Sequence, residues 1–244
     1  AVVRACNEAH AKGENSHVFV QYSGHGVQVR DRSGDEKDGL DEALAPTDYA
    51  SAGMIKDDDM HECFLALLPP TCTVFMLLDC CHSGTMSDLR YQWDARRKTS
   101  RLWSKTATQK TRQRGTIRRP VVARVMAISG SMDRQTSSDA FIAASQEFEG
   151  AMTRAFVNAY GALGGFDSSA TMFLDKMRAY LKQKGYPQVP QITTSFNMTT
   201  RTPLFFTKRS YVDTKSKPPP KRRRKNNNSV YYRRKKYRRG RKSQ

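Results

Sequence analysis

Two residues of this chain have the types and surroundings to do chemistry together: Cys81, within Asp79-Cys80-Cys81-His82-Ser83-Gly84, and His25, within Tyr22-Ser23-Gly24-His25-Gly26. A free thiol with a pKa near ~8.5 is only a few per cent thiolate at neutral pH. A neighbouring imidazole can raise that fraction, or act as base and then return the proton to a leaving amine. Gly24, Gly26 and Gly84 fit the same chemistry, because glycine lets the backbone approach a substrate and offers N–H donors to a developing oxyanion.

Both groups need elements to hold them. Val18-Phe19-Val20 precedes the first motif and Val74-Phe75-Met76-Leu77-Leu78 the second, so each is expected to emerge where a strand ends and a loop begins, as sites do in open α/β sheets. Residues 121–129 read as a further strand. Phe148, Met152, Ala155, Phe156, Ala159 and Tyr160 mark one face of a helix, and Phe173, Met177, Tyr180 and Leu181 mark another. A last strand spans about residues 191–196, bounded by Pro187 and Pro190. Strands alternating with helices predict an α/β fold with a mainly parallel sheet covered on both faces. The length of 244 residues permits one domain, expected over residues 1–207, plus a tail.

The two motifs together resemble the catalytic signature of the metacaspases, caspase-related cysteine peptidases. The likeness extends through Gly34-Asp35-Glu36-Lys37-Asp38-Gly39-Leu40-Asp41-Glu42, Ile55-Lys56-Asp57-Asp58-Asp59, Ser129-Gly130 with residues 133–140, and Pro190-Gln191, in family order over residues 1–206. The resemblance implies a three-layer caspase-like sandwich. It also implies a strand, a helix and a second strand ahead of the helix in which Ala1 falls, so the chain is expected to lack its first elements.

Carried over by position, the resemblance makes His25 and Cys81 the catalytic dyad, with backbone N–H groups near Gly26 and Cys81 holding the oxyanion. Cys80 is expected as a small buried neighbour, and His82 as a loop histidine. Asp79, two residues before the nucleophile, would pair with arginine or lysine ahead of the cut, and Ser23 would line the same pocket. From the residues alone, Asp79 reads equally as a strand-end turn residue.

Asp41, Asp57, Asp58 and Asp88 match the calcium-binding aspartates of calcium-dependent metacaspases, and calcium takes six to eight oxygen ligands. Asp57-Asp58-Asp59 also suits the first turn of a helix, with Met60, Cys63, Phe64, Leu67 and Leu68 at helical spacing after it. No cysteine or histidine spacing suggests a transition metal.

The net charge of +19 is unevenly spread. Residues 90–119 hold eleven basic residues and one acid, and residues 208–244 hold seventeen and one, which leaves −7 for the rest of the chain. The first stretch is expected as an unpacked basic linker and the second as a disordered tail. The acidic remainder suits cationic substrates. Lys217-Pro218-Pro219-Pro220-Lys221-Arg222-Arg223-Arg224-Lys225 resembles a nuclear-import signal, and Tyr231, Tyr232 and Tyr237 among arginines could stack on bases. No apolar run approaches the ~18 residues of a membrane span. Five cysteines, an odd number, favour a reducing compartment.

The expected protein is therefore a monomeric, calcium-dependent endopeptidase of the cytoplasm or nucleus, cutting peptides after Arg or Lys through an acyl-enzyme and able to process itself. The alternative is an inactive metacaspase-like scaffold whose basic tail binds nucleic acid or directs nuclear import.

Overall fold

The computed structural model describes residues 1–30, 40–80, 89–102, 119–131 and 150–205. In chain order they form α1 (Val2–Ala11), β1 (Ser16–Ser23), β2 (His25–Arg30), β3 (Leu40–Ala45), α2 (Tyr49–Ala52), β4 (Ile55–Lys56), α3 (Asp57–Cys63), a 3-10 turn (Leu65–Leu67), β5 (Cys72–Asp79), β6 (Tyr91–Asp94), β7 (Thr99–Leu102), β8 (Arg124–Ser131), α4 (Ala151–Leu163), α5 (Ala170–Gln183) and β9 (Val189–Thr194).

The main sheet has the order β1-β5-β8-β9-β6-β7. β1, β5 and β8 are parallel neighbours, β9 runs antiparallel to β8 and to β6, and β7 is antiparallel to β6. Four of the six strands thus point one way. β5 lies between two parallel neighbours and is covered on both faces, which is why its sequence is a continuous apolar run rather than an alternating one.

Side-chain alternation along the strands sorts the core into two layers. Phe75 and Leu77 of β5 and Met126 and Ile128 of β8 pack against Met152, Ala155 and Phe156 of α4 and Phe173, Met177 and Leu181 of α5. Val74, Met76, Leu78, Val125 and Ala127 face the other way, onto Cys6 of α1 and onto Leu65 and Leu68. Each such fully buried large side chain is worth about 1.5–3 kcal/mol against its exposed state. The product is helix, sheet and helix in three layers, the α/β sandwich expected from the alternation of strands and helices.

Three regions depart from the sequence expectation. His25 does not stand in a loop: after one residue, Gly24, the chain enters β2, which pairs with β3 and through it with β4 in a separate three-stranded sheet. The basic stretch does not begin as an unpacked linker. Residues 91–102 form a β-hairpin that joins the main sheet through β9, and Trp93 lies in the core at 8% exposure. Alternation of Tyr91 and Trp93 with polar residues carries that strand, and Asp94 accepts from the Arg96 and Arg97 amides at the turn, at 3.0 and 3.1 Å. α3 starts at Asp57 with three acids in its first turn, then gives way to the 3-10 turn ahead of Pro69 and Pro70, where helix cannot continue. The remainder of the basic stretch, residues 103–118, and the tail, residues 208–244, lie outside the described residues.

Candidate active site

Asp79 ends β5 in the stripe of Phe75 and Leu77, so its side chain emerges on the face covered by α4. It is buried, at 1% exposure. α4 begins after Gly150, whose φ of 81° is a left-handed conformation and which supplies no capping side chain. The exposed amides of that first turn need an acceptor. Asp79 provides it across the sheet: its Oδ2 accepts from the Thr153 amide at 2.7 Å and from the Thr153 hydroxyl at 2.8 Å. A carboxylate at a helix N-terminus is also favoured by the helix dipole.

Ser23 ends β1 and pairs in register with Asp79 across the parallel ladder, so both side chains share one face. The Ser23 hydroxyl lies 3.2 Å from Thr153 Oγ1, and Gln21 Nε2 donates to Ser23 Oγ at 2.6 Å. Each hydroxyl has one hydrogen. Thr153 spends its own on Asp79, so Ser23 must be the donor towards Thr153. The direction of the whole chain follows: Gln21 to Ser23, Ser23 to Thr153, Thr153 to Asp79. Ser23 and Asp79, the two residues expected in a cation pocket, are thereby brought together, joined by a threonine that no motif contained.

His25 is the first residue of β2, two residues beyond Ser23, and its side chain is exposed. The turn that places it is fixed from both sides. The Gly24 amide donates to the Asp79 carbonyl at 3.3 Å. The Tyr22 hydroxyl lies 3.0 Å from the carbonyl oxygens of both His25 and its cross-strand partner Ala45. Gly24 is required by this arrangement, since a Cβ there would stand 2.8 Å from the Tyr22 hydroxyl oxygen. Gly26, expected at the oxyanion, lies next along β2 opposite Leu44.

Cys80 is buried in the layer of Val74, Met76 and Leu78, a small apolar side chain in the core as expected. Cys81, with His82, Ser83 and Gly84, lies outside the described residues, as do residues 133–140 of the family-like pattern. A cavity of about 360 Å³ lined by His17, Phe19, Thr73, Phe75, Leu204 and Phe205, among others, sits towards the N-terminal halves of β1 and β5, away from Ser23 and Asp79. It is not part of this site.

The acids expected to hold calcium are placed as follows. Asp41 on β3 is 2% exposed, and its Oδ2 accepts from Lys56 Nζ at 2.7 Å. Asp57, also buried, accepts the Asp58 amide at 2.9 Å on Oδ1. Asp58 is half-buried, and Asp88 lies outside the described residues. The donor chemistry fits a hard cation, and α3 packs on both β3 and β4. An ammonium already occupies Asp41, however, and among the described residues no three acidic, histidine or cysteine side chains converge on one point.

Comparison with known proteins gives the family. Residues 6–90, which span His25, Asp41, Asp57, Asp58 and Asp79, match the family described as "Metacaspase, peptidase C14 domain". The chain is 35% identical over 215 residues to Metacaspase-1 of Meyerozyma guilliermondii, covering 74% of this chain and 51% of that protein. It is 33% identical over 221 residues to Metacaspase-1 of Kluyveromyces lactis (76% and 50%), and 34% identical over 183 residues to Metacaspase-2 of Trypanosoma brucei brucei (73% and 50%). The chain belongs to the metacaspase family. That family is one of cysteine peptidases, and its caspase-like fold is the sandwich described above. The chain spans about half the length of the curated metacaspases it matches. Among the described residues, no helix is long and apolar enough to cross a membrane.

Proposed function

We propose that this metacaspase is a cysteine endopeptidase that cuts after arginine or lysine, with Cys81 as nucleophile and His25 as its base. The observation that carries the reading is the buried Asp79 beside Ser23, at the C-terminal ends of neighbouring parallel strands, with His25 two residues after Ser23. A carboxylate in such a place suits a substrate cation and repels an aspartate.

The His25 imidazole takes the Cys81 thiol proton, and the sulfur attacks the carbonyl carbon of the scissile peptide. Backbone N–H groups near Gly26 and Cys81 donate to the oxyanion. The imidazolium returns its proton to the departing amine, leaving a thioester. Water then gives a proton to His25 and attacks the thioester, releasing the acid and restoring the thiol. Asp41, Asp57, Asp58 and Asp88 would hold calcium, which would supply a hard cation to balance their charge. In this reading the basic tail, residues 208–244, directs nuclear import or binds polyanions.

The test is cleavage of matched fluorogenic peptides ending in Arg, Lys or Asp, with calcium present. Cutting of the first two, lost in Cys81→Ala and retained in Cys80→Ala, supports the reading. Cutting after Asp would remove the pocket assignment, and an inert parent protein would favour the scaffold alternative.

A further inference from the structure

We infer that Thr153 is the positioning residue of the cation pocket, holding Asp79 in the orientation that receives an arginine or lysine side chain; this rests on the reading of Asp79 given above. Three observations converge on it. Thr153 donates twice to one oxygen of Asp79, through its amide at 2.7 Å and its hydroxyl at 2.8 Å. A carboxylate oxygen offers about two acceptor directions, so Oδ2 is fully engaged and rotation of the carboxylate about its Cβ–Cγ bond would break both bonds. Thr153 also receives the Ser23 hydroxyl, 3.2 Å away, so the same side chain fixes both residues assigned to the pocket. Finally, it does so from α4, a 13-residue helix anchored in the core by Ala151, Met152, Ala155 and Phe156, rather than from a loop.

The directed chain from Gln21 through Ser23 and Thr153 ends on Asp79, and donors aligned in series strengthen one another. Removing only the threonine hydroxyl cuts this chain in the middle. It leaves the helix amide bond to Asp79 in place, so the capping function of Asp79 survives and the pocket function is what changes. No residue of α4 would touch the substrate in this scheme; Thr153 acts through Asp79.

The experiment measures binding rather than turnover, using the full chain with Cys81→Ala and two fluorescein-labelled peptides that differ only in Arg or Gln at the position before the scissile bond. Fluorescence anisotropy is expected to show the parent preferring the Arg peptide. Thr153→Val should weaken the Arg peptide by about tenfold, as for loss of a hydrogen bond to a charged group, and leave the Gln peptide unchanged. Thr153→Ser, which keeps the hydroxyl, should retain the preference. Thr153→Ala gives the same reading should the valine variant not fold. Equal weakening of both peptides, or no weakening of either, in a protein where Asp79→Asn abolishes the Arg preference, would overturn the role of Thr153 while leaving Asp79 in the pocket. A parent without preference for Arg over Gln would remove the pocket reading itself, and this inference with it.

Discussion

The Tyr22 hydroxyl stands 3.0 Å from the carbonyl oxygen of His25, bridging the end of one sheet to the start of the other. The same hydroxyl reaches the Ala45 carbonyl, so it clamps the His25–Ala45 pair where the chain passes from the main sheet into β2. Tyr22 lies in the His25 motif but has no chemistry of its own; its part is to fix the backbone from which the imidazole projects.

Tyr22→Phe is therefore expected to lower kcat for an arginine peptide by about tenfold, with a loss of about 1 kcal/mol in stability from the missing hydrogen bond. Gly24→Ala should be worse, because its Cβ would meet both the hydroxyl oxygen and the ring carbon that bears it, at 2.8 and 3.0 Å. The double variant should show less than the sum of the two losses, since removing the hydroxyl relieves part of the clash. Cleavage kinetics with thermal melts check this, and strict additivity would mean that Gly24 and Tyr22 act separately.

The family-like motifs and the two-faced core were readable in the sequence because both depend on local order: a short motif after an apolar run, or apolar residues at fixed spacing. Thr153 carried no such signal. It is a helix residue like its neighbours, and its importance comes only from the register that sets Ser23 opposite Asp79 and from the helix that packs over both. Trp93 was missed for the converse reason, a strand of four residues hidden in a stretch whose charge dominates its composition. Lys56 stands beside the acid run in sequence with nothing there to single it out, and only the antiparallel pairing of β3 with β4 sets it beside Asp41.

That lysine gives a second prediction, on the proposal that calcium binds these acids. The Lys56 ammonium already engages Asp41, so a calcium ion bound to Asp41 would compete with it. Lys56→Met should tighten calcium binding by about tenfold in calorimetric titration, the scale of one charge-assisted hydrogen bond. Without calcium it should lower the melting temperature, because Asp41 loses its cation while buried, and added calcium should restore it. Unchanged calcium affinity in this variant would exclude Asp41 as a ligand.

A third prediction concerns alkaline stability. The Cys72 thiol lies buried beside Cys6, sulfur to sulfur 3.8 Å. Burial first, and then the Cys6 sulfur, push its pKa from 9.0 up to about 12. The folded state therefore keeps the neutral thiol while the unfolded chain ionises. This contribution is complete below pH 9.0 and is lost as pH rises towards about 12. Urea unfolding should show stability falling across that window, with a shallower fall in Cys72→Ala even though that variant is weaker at pH 7 from the cavity it leaves. Equal slopes in the two proteins would mean that other groups govern alkaline unfolding.

The last prediction joins the basic stretch to the proposed pocket. Tethered arginines and lysines reach a site that accepts a cation at high effective concentration, so self-cleavage is expected once calcium is added. The hairpin narrows where it can occur. Residues 91–94 and 99–102 are paired with each other, and residues 91–92 also with β9, around a four-residue turn, so a peptide spanning the hairpin must leave that pairing to enter the site. Cuts should therefore follow Lys105, Lys110, Arg112, Arg114 or Arg118 rather than Arg101. Mass spectrometry of the calcium-treated chain reads this directly. New termini confined to residues 103–118 and absent from Cys81→Ala support processing in cis when their rate does not change on dilution. A rate that falls in proportion to protein concentration would assign the cut to a second molecule, and an intact segment in an enzyme that cleaves added arginine peptides would remove self-processing altogether.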